Sequence, residues 1–311
     1  MTTTLTITPD LVEVLAPQVE RLFQRHLSTT KSWMPHALVP WERAAESAPR
    51  GEWDAATSKI PAGVRSALVV NLLTEDNLPY YFETINRMFA NDVWREWARR
   101  WVAEEMRHAI VIRDYITVTH AVDLDALELA RMHQVCGGQV PQPESAVDTL
   151  AYVALQELAT RISHRNTGNL LEDEAGYKVM ARVAADENLH YLFYRDLVSA
   201  ALEVDPSGTV CAIERQVRTF EMPGAGIPDF SAHASAIAAA GIYDLVLHHD
   251  QVLVPVVLRH WGIETLEGLD ADAEIARERI IKHIARIDRI GRRIADRRAP
   301  ESVGADRSAR P

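Results

Sequence analysis

Apolar residues recur at three- and four-residue spacing along most of the chain, and alternating runs closed by tight hairpin turns are scarce. That period belongs to helices packed on one face, so the pattern predicts a mainly α protein. Helices are expected near 10 to 29, 62 to 90, 92 to 120, 123 to 136, 145 to 170, 173 to 203, 207 to 220, 232 to 259 and 271 to 297. Gly, Pro and Ser concentrate in "GGQVPQPES" at 137 to 145, "VDPSGT" at 204 to 209 and "MPGAGIPDF" at 222 to 230, which marks the joints. Pro79 falls inside an apolar helical stretch, where its missing N–H and its ring should kink or end the helix.

At 311 residues and 47% hydrophobic content the chain can bury one large core, and we expect one domain over 1–298 with a disordered tail at 299–311. The net charge of -11 argues against nucleic-acid binding through a general basic surface. Residues 277 to 298 depart from this balance: nine basic and three acidic residues give +6, leaving the remainder at -17. Cys136 and Cys211 are too few for a disulfide framework or a thiolate metal cluster. The N-terminal stretch has no secretory pattern, so a cytoplasmic location is expected. The most apolar late segment contains Asp244, His248, His249 and Asp250, which a membrane-spanning helix tolerates poorly, so an integral membrane protein is not expected.

Two segments carry the chemistry. "WVAEEMRH" at 101 to 108 and "VAADENLHYLFY" at 183 to 194 each place two adjacent acids before a histidine. On a helix, Glu105 with His108 and Glu187 with His190 share a face and can address one ion. Glu75 precedes Glu105 by 30 residues and Glu157 precedes Glu187 by 30, so one set repeats the other 82 residues on. All four glutamates sit in apolar helical surroundings, where ionised carboxylates without basic partners are costly and repel one another. Two divalent cations would balance them, with His108 and His190 as neutral ligands. Oxygen-rich ligation without sulfur favours iron, with manganese as a substitute.

These segments, with "LTEDNLPYY" at 73 to 81, "LQELATRISHRNTG" at 155 to 168, "KSWMP" at 31 to 35, "VDPSGT" and the Trp261–Gly262 pair, resemble the soluble acyl-[acyl-carrier-protein] desaturases of the ferritin-like superfamily. The resemblance runs over roughly residues 10 to 297. It implies a ferritin-like four-helix bundle with additional helices and two irons held by Glu75, Glu105, His108, Glu157, Glu187 and His190 in the bundle core. It also implies O2-dependent insertion of a cis double bond into a fatty acyl chain delivered by acyl carrier protein, electrons from a ferredoxin, and a homodimer.

By the same resemblance Asp186 orients His108 and Trp33 links the surface to that pair. Glu104 is the repeat-equivalent acid, placed to serve His190, with a plain surface acid as the alternative. Thr160, a turn after Glu157, and Thr74 are candidates for handling protons near reduced oxygen; bonding to its own helix's carbonyls is the ordinary alternative for Thr160. Two features depart from the plant pattern: a shorter interval between Glu75 and Glu105, and Leu189 where a basic residue is usual. Iron storage and a noncatalytic carrier-binding homologue are the competing readings. A radical-generating reductase subunit would need a tyrosine where Ile112 stands.

Overall fold

The computed structural model describes residues 10–44, 52–88, 92–224 and 226–298, and among these the chain is helical with no strand. The expected tail at 299–311 lies outside the described residues. Four helices form the centre: α2 (Ala62–Glu75), α4 (Asp92–Thr119), α6 (Ala146–Asn169) and α7 (Glu174–Val204). They pack in a ring, α2 against α4, α4 against α7, α7 against α6 and α6 against α2. Around them lie α1 (Leu11–Thr29), α3 (Leu78–Met88), α5 (Leu124–Gly137), α8 (Pro206–Thr219), α9 (Phe230–Ala239), the short α10 (Leu245–Leu247) and α11 (Ala271–Arg298).

The joints follow the predicted punctuation. Ser145 accepts from the Asp148 amide to cap α6, and Asp173 accepts from the Gly176 amide to cap α7. Asp205 accepts from the Gly208 amide, with Pro206 in the first turn of α8, where a missing N–H costs nothing. Helix α6 is buried almost all round through its central turns, so it carries little apolar asymmetry, as befits a helix enclosed by neighbours.

Two expected helices are each broken. The helix predicted at 62 to 90 stops at Glu75 and restarts at Leu78, so Pro79 lies in the first turn of α3 rather than at a kink. The cause lies in the two residues before it. Asp76 takes a paired hydrogen bond from Arg131 at 2.9 and 3.0 Å, and buried Asn77 accepts from Gln134 Nε2 at 2.6 Å. Both partners belong to α5, so tertiary contacts fix the break. Gly138 lets the end of α5 approach this closely, because a Cβ there would lie 2.3 Å from Asn77 Oδ1.

The helix predicted at 232 to 259 ends at Ala239, turns through Gly241 at φ +73°, and restarts where Asp244 caps the Leu247 amide. From His248 to His260 the winding is that of a π-helix. Its buried positions, His248, Val252, Leu253, Val256 and Val257, repeat about every four residues. That repeat lies between the α period and the wider π winding, so apolar spacing did not separate the two.

Candidate metal centre

Each central helix brings acid inward at the same level. Glu75 ends α2, Glu105 and His108 lie mid-way along α4, Glu157 on α6, and Glu187 with His190 on α7; all six are buried. They form two overlapping groups of possible ligands, Glu75, Glu105, His108 and Glu187 in one, and Glu105, Glu157, Glu187 and His190 in the other, with ligand atoms within 4.8 Å of one another in each. Glu105 and Glu187 are common to both, the position of carboxylates that can bridge two cations.

The imidazoles face this centre through Nδ1. His108 Nδ1 is 2.9 Å from Glu105 Oε2 and 3.4 Å from Glu187 Oε1. His190 Nδ1 is 2.8 Å from Glu105 Oε1 and 3.7 Å from Glu157 Oε2. Their far nitrogens point outward to two more buried acids. His190 Nε2 donates to Glu104 Oε2 at 2.9 Å, and His108 Nε2 lies 3.6 Å from Asp186 Oδ2. An Nε2–H turned to a carboxylate leaves the Nδ1 lone pair for a cation.

Inner and outer acids are balanced differently. Arg100 Nη2 reaches Glu104 Oε1 at 2.5 Å, and Arg107 and Arg182 both pair with Asp186. Trp33 Nε1 donates to Asp186 at 2.7 Å, and the Arg107 guanidinium covers its ring at 4.9 Å. Burial pushes the Glu104 carboxyl up, but the hydrogen bonds from His190 and His26 outweigh it and hold it well below the usual carboxylate range. Asp186 is lowered too: burial is overcome by His108, Trp33 and Arg182.

The four inner glutamates pair with no Lys or Arg among the described residues; only histidines oppose their charge. Burial lifts the Glu75 carboxyl to about 8, and burial and the neighbouring Glu187 raise Glu157 well above its ordinary value. Glu157 Oε2 is buried without a hydrogen-bond partner, and Glu105 Oε1 and His190 Nδ1, 2.8 Å apart, are buried with no partner beyond one another. Four crowded carboxylates, two lone-pair nitrogens and orphaned polar atoms facing one centre fit a pair of divalent cations.

The remaining expected residues gather here as well. Thr160 Oγ1 is 3.0 Å from Glu187 Oε2 and also within reach of the Gln156 and Glu157 carbonyls, so it meets both the site and its own helix. Thr74 lines a small cavity with Glu75, Glu105, Thr160 and Glu187. Three participants had no assigned role in the sequence. His26 on α1 places Nε2 2.9 Å from the same Glu104 oxygen that His190 uses, and Trp101 Nε1 donates to Glu157 Oε1 at 3.1 Å. His164 Nε2 sits 3.5 Å from Glu75 and 3.6 Å from Glu187. Burial alone would lower His164, but hydrogen bonding to Glu187 and Glu75 raises it to about 9. Its position seven residues after Glu157, on the same face of α6, was the available signal.

Three adjoining cavities lead to this centre. The outermost, about 450 Å³, is lined by Phe220, Met222, Phe230, Ala234, Tyr243 and Leu253 among others. It shares Met222, Phe230, Ala234 and Tyr243 with a second of about 70 Å³, which in turn shares Thr74 and Thr160 with a third of about 20 Å³ between the carboxylates.

Comparison with known proteins agrees with this architecture. DesA1 of Mycobacterium tuberculosis (strain ATCC 25618 / H37Rv), named as an acyl-[acyl-carrier-protein] desaturase, is 40% identical over 281 residues, covering 87% of this chain and 83% of DesA1. The chloroplastic stearoyl-[acyl-carrier-protein] 9-desaturase 6 of Arabidopsis thaliana is 31% identical, covering 86% of this chain and 72% of that protein. The X-ray structure of the acyl-ACP desaturase DesA2 from M. tuberculosis H37Rv superposes with a TM-score of 0.67 at 27% identity, over 86% of this chain and 98% of that one. Residues 8–308 match the family model described as "Fatty acid desaturase", and the chain belongs to that family.

Proposed function

We propose that this chain is an acyl-[acyl-carrier-protein] desaturase that inserts a cis double bond into a saturated acyl chain delivered by acyl carrier protein. The observation that carries the reading is the string of cavities, mainly apolar in its outer two members, that ends in a small polar one between the buried carboxylates. Iron storage needs an ion path, which polar groups line; an apolar passage suits a hydrocarbon chain. Glu75, Glu105, His108, Glu157, Glu187 and His190 would hold two irons, and manganese could replace them. Bound there, the irons would supply the redox chemistry that couples reduction of dioxygen to water with oxidation of two neighbouring methylenes. Two electrons come from the substrate and two from a ferredoxin-type donor.

The chain's own residues prepare that chemistry. Glu104 and Asp186 orient the two imidazoles, and the Thr160 hydroxyl donates to a Glu187 oxygen, which steadies that carboxylate. Thr160 and Thr74 stand where protons must reach reduced oxygen. Met222, Phe230 and Tyr243 line the approach with apolar surface that keeps water from the oxidant. Trp33, joined to Asp186, offers an entry for electrons. We extend the reading to a homodimer of one domain over 1–298 working in the cytoplasm. No helix among the described residues is long and apolar enough to cross a membrane.

The test is iron-loaded protein supplied with ferredoxin, its reductase, dioxygen and a panel of acyl-loaded carriers, followed by mass spectrometry of the acyl groups. Products lighter by two hydrogens are expected. Iron bound at two per chain with every acyl chain unchanged would sink the reading.

A further inference from the structure

We infer that the outward edge of α11 is the docking surface for the acidic carrier protein, a proposal that rests on the carrier-dependent reading above. The outermost cavity opens between α8, α9 and α11, and α11 contributes His283, Ile287, Gly291, Ile294 and Arg298 to its wall. These five positions fall on one face of the helix. Beside them, on one edge of that face, run Arg279, Arg286 and Arg293, each seven residues from the next and each exposed. A basic stripe therefore follows the rim of the apolar cavity that adjoins the passage to the carboxylate centre.

Three features separate this stripe from an ordinary solvated helix face. First, Arg286 and Arg293 form no ion pair with a described residue, although the arginines bordering the metal centre, Arg100, Arg107 and Arg182, are all paired. Second, α8, packed directly against α11, adds positive charge at the same rim. Arg218 lines the cavity, 49% exposed, and pairs with the buried carboxylate of Glu214 at 2.7 Å, while Arg279 lies 4.0 Å from the same oxygen. Burial, then Arg286 and Arg218, lower the pKa of His283, so both guanidiniums act on this neutral imidazole at the rim. Third, residues 277 to 298 carry +6 while the rest of the chain carries -17 (-11 less +6), so an acidic protein is repelled over most of the surface and drawn to this edge.

The geometry suits a carrier that presents its cargo on a flexible arm. An acidic partner seated on Arg279, Arg286 and Arg293 would hold the arm's attachment point at the rim. The acyl chain could then enter past Phe220, Tyr243 and Leu253 toward the carboxylates.

Binding of acyl-loaded carrier protein to the metal-loaded full chain, followed by fluorescence anisotropy at several salt concentrations, tests this without turnover. Two double variants are compared, Arg286→Glu with Arg293→Glu on the stripe, and Arg21→Glu with Arg99→Glu on exposed positions of α1 and α4. Both make the same change in net charge; thermal unfolding and metal content check that each is folded. The stripe variant should bind at least about tenfold more weakly and lose most of its salt dependence, while the other pair changes affinity less than about threefold. Equal losses in both variants, no loss in the stripe variant, or stripe-dependent binding to anionic phospholipid vesicles with none to the carrier would overturn the proposal. A chain that binds the carrier through the stripe and forms no olefin would sink the desaturase reading alone; olefin formation with unaltered binding would sink only the docking surface.

Discussion

His26 and His190, from helices far apart in sequence, stack with ring centroids 5.7 Å apart and 18° between their planes, and both place Nε2 2.9 Å from one oxygen of Glu104. Glu104 thus fixes a candidate ligand with help from a helix outside the bundle. Replacing His26 by Phe keeps the ring stack and removes one donor, so Glu104 loses orientation while Arg100 still balances its charge. We expect one of two divalent ions to bind roughly 10- to 100-fold more weakly, with the other unchanged. Titration of the metal-free protein with ferrous iron reads both affinities; an unaltered pair would rule out a positioning role for His26.

Sharing of ligands between the two groups separates the glutamates by stoichiometry. Glu105 and Glu187 belong to both groups, whereas Glu75 and Glu157 each belong to one. Glu75→Gln or Glu157→Gln should lower binding toward one ion per chain, and Glu105→Gln should weaken both ions together. Elemental analysis after dialysis at limiting metal distinguishes these patterns. Equal losses for all three variants would argue against bridging.

The narrow passage between the outer two cavities depends on small side chains. Ala234 lines both, facing Phe230, Met222 and Tyr243. Ala234→Phe should fill this junction, on a helix turn that accepts the change with little backbone cost. Turnover of a long acyl chain should fall at least about tenfold, or about 1.4 kcal/mol in transition-state terms. Metal content and melting temperature should stay close to wild type. Unchanged turnover would mean that the acyl chain reaches the centre by another route.

Much of the centre was legible in the chain because its candidate ligands obey helical spacing. The Glu105–His108 and Glu187–His190 pairs lie three residues apart, and burial of apolar neighbours on both sides could be read from their stretches. Trp33 and Glu104 were singled out by family resemblance and by the internal repeat, and the structure sets Trp33 against Asp186 and Glu104 against His190. His26 was not legible: it sits on an ordinary amphipathic helix 78 residues from its partner, and nothing local distinguishes it from a core histidine. Pro79 signalled an interruption of its helix, but the place of the break, at Asp76 and Asn77, was hidden for a related reason, since their partners Arg131 and Gln134 are on another helix. Local periodicity reports faces, and such long-range polar pairs leave it unchanged.

Acid sensitivity should have a component at the cavity wall as well as at the carboxylates. His248 stacks on Phe220 with centroids 4.7 Å apart, and its Nδ1 is 2.8 Å from Tyr243 Oη. Burial, then the nearby His249 and His283, push its pKa down to about 4. An unfolded imidazole takes its proton near pH 6.5. Between those values the unfolded chain binds more protons than the folded one, so folding stability rises with pH through this window. The contribution is complete above about pH 6.5 and is lost on acidification toward pH 4, in total roughly 3 kcal/mol. His248→Gln removes the titrating group and keeps a polar partner for Tyr243. Urea unfolding at pH 5 and pH 7, compared as a difference between wild type and variant, cancels the shared response of the carboxylate centre. Wild type should lose more stability than the variant on going to pH 5, and parallel losses would show that His248 is not held neutral by its surroundings.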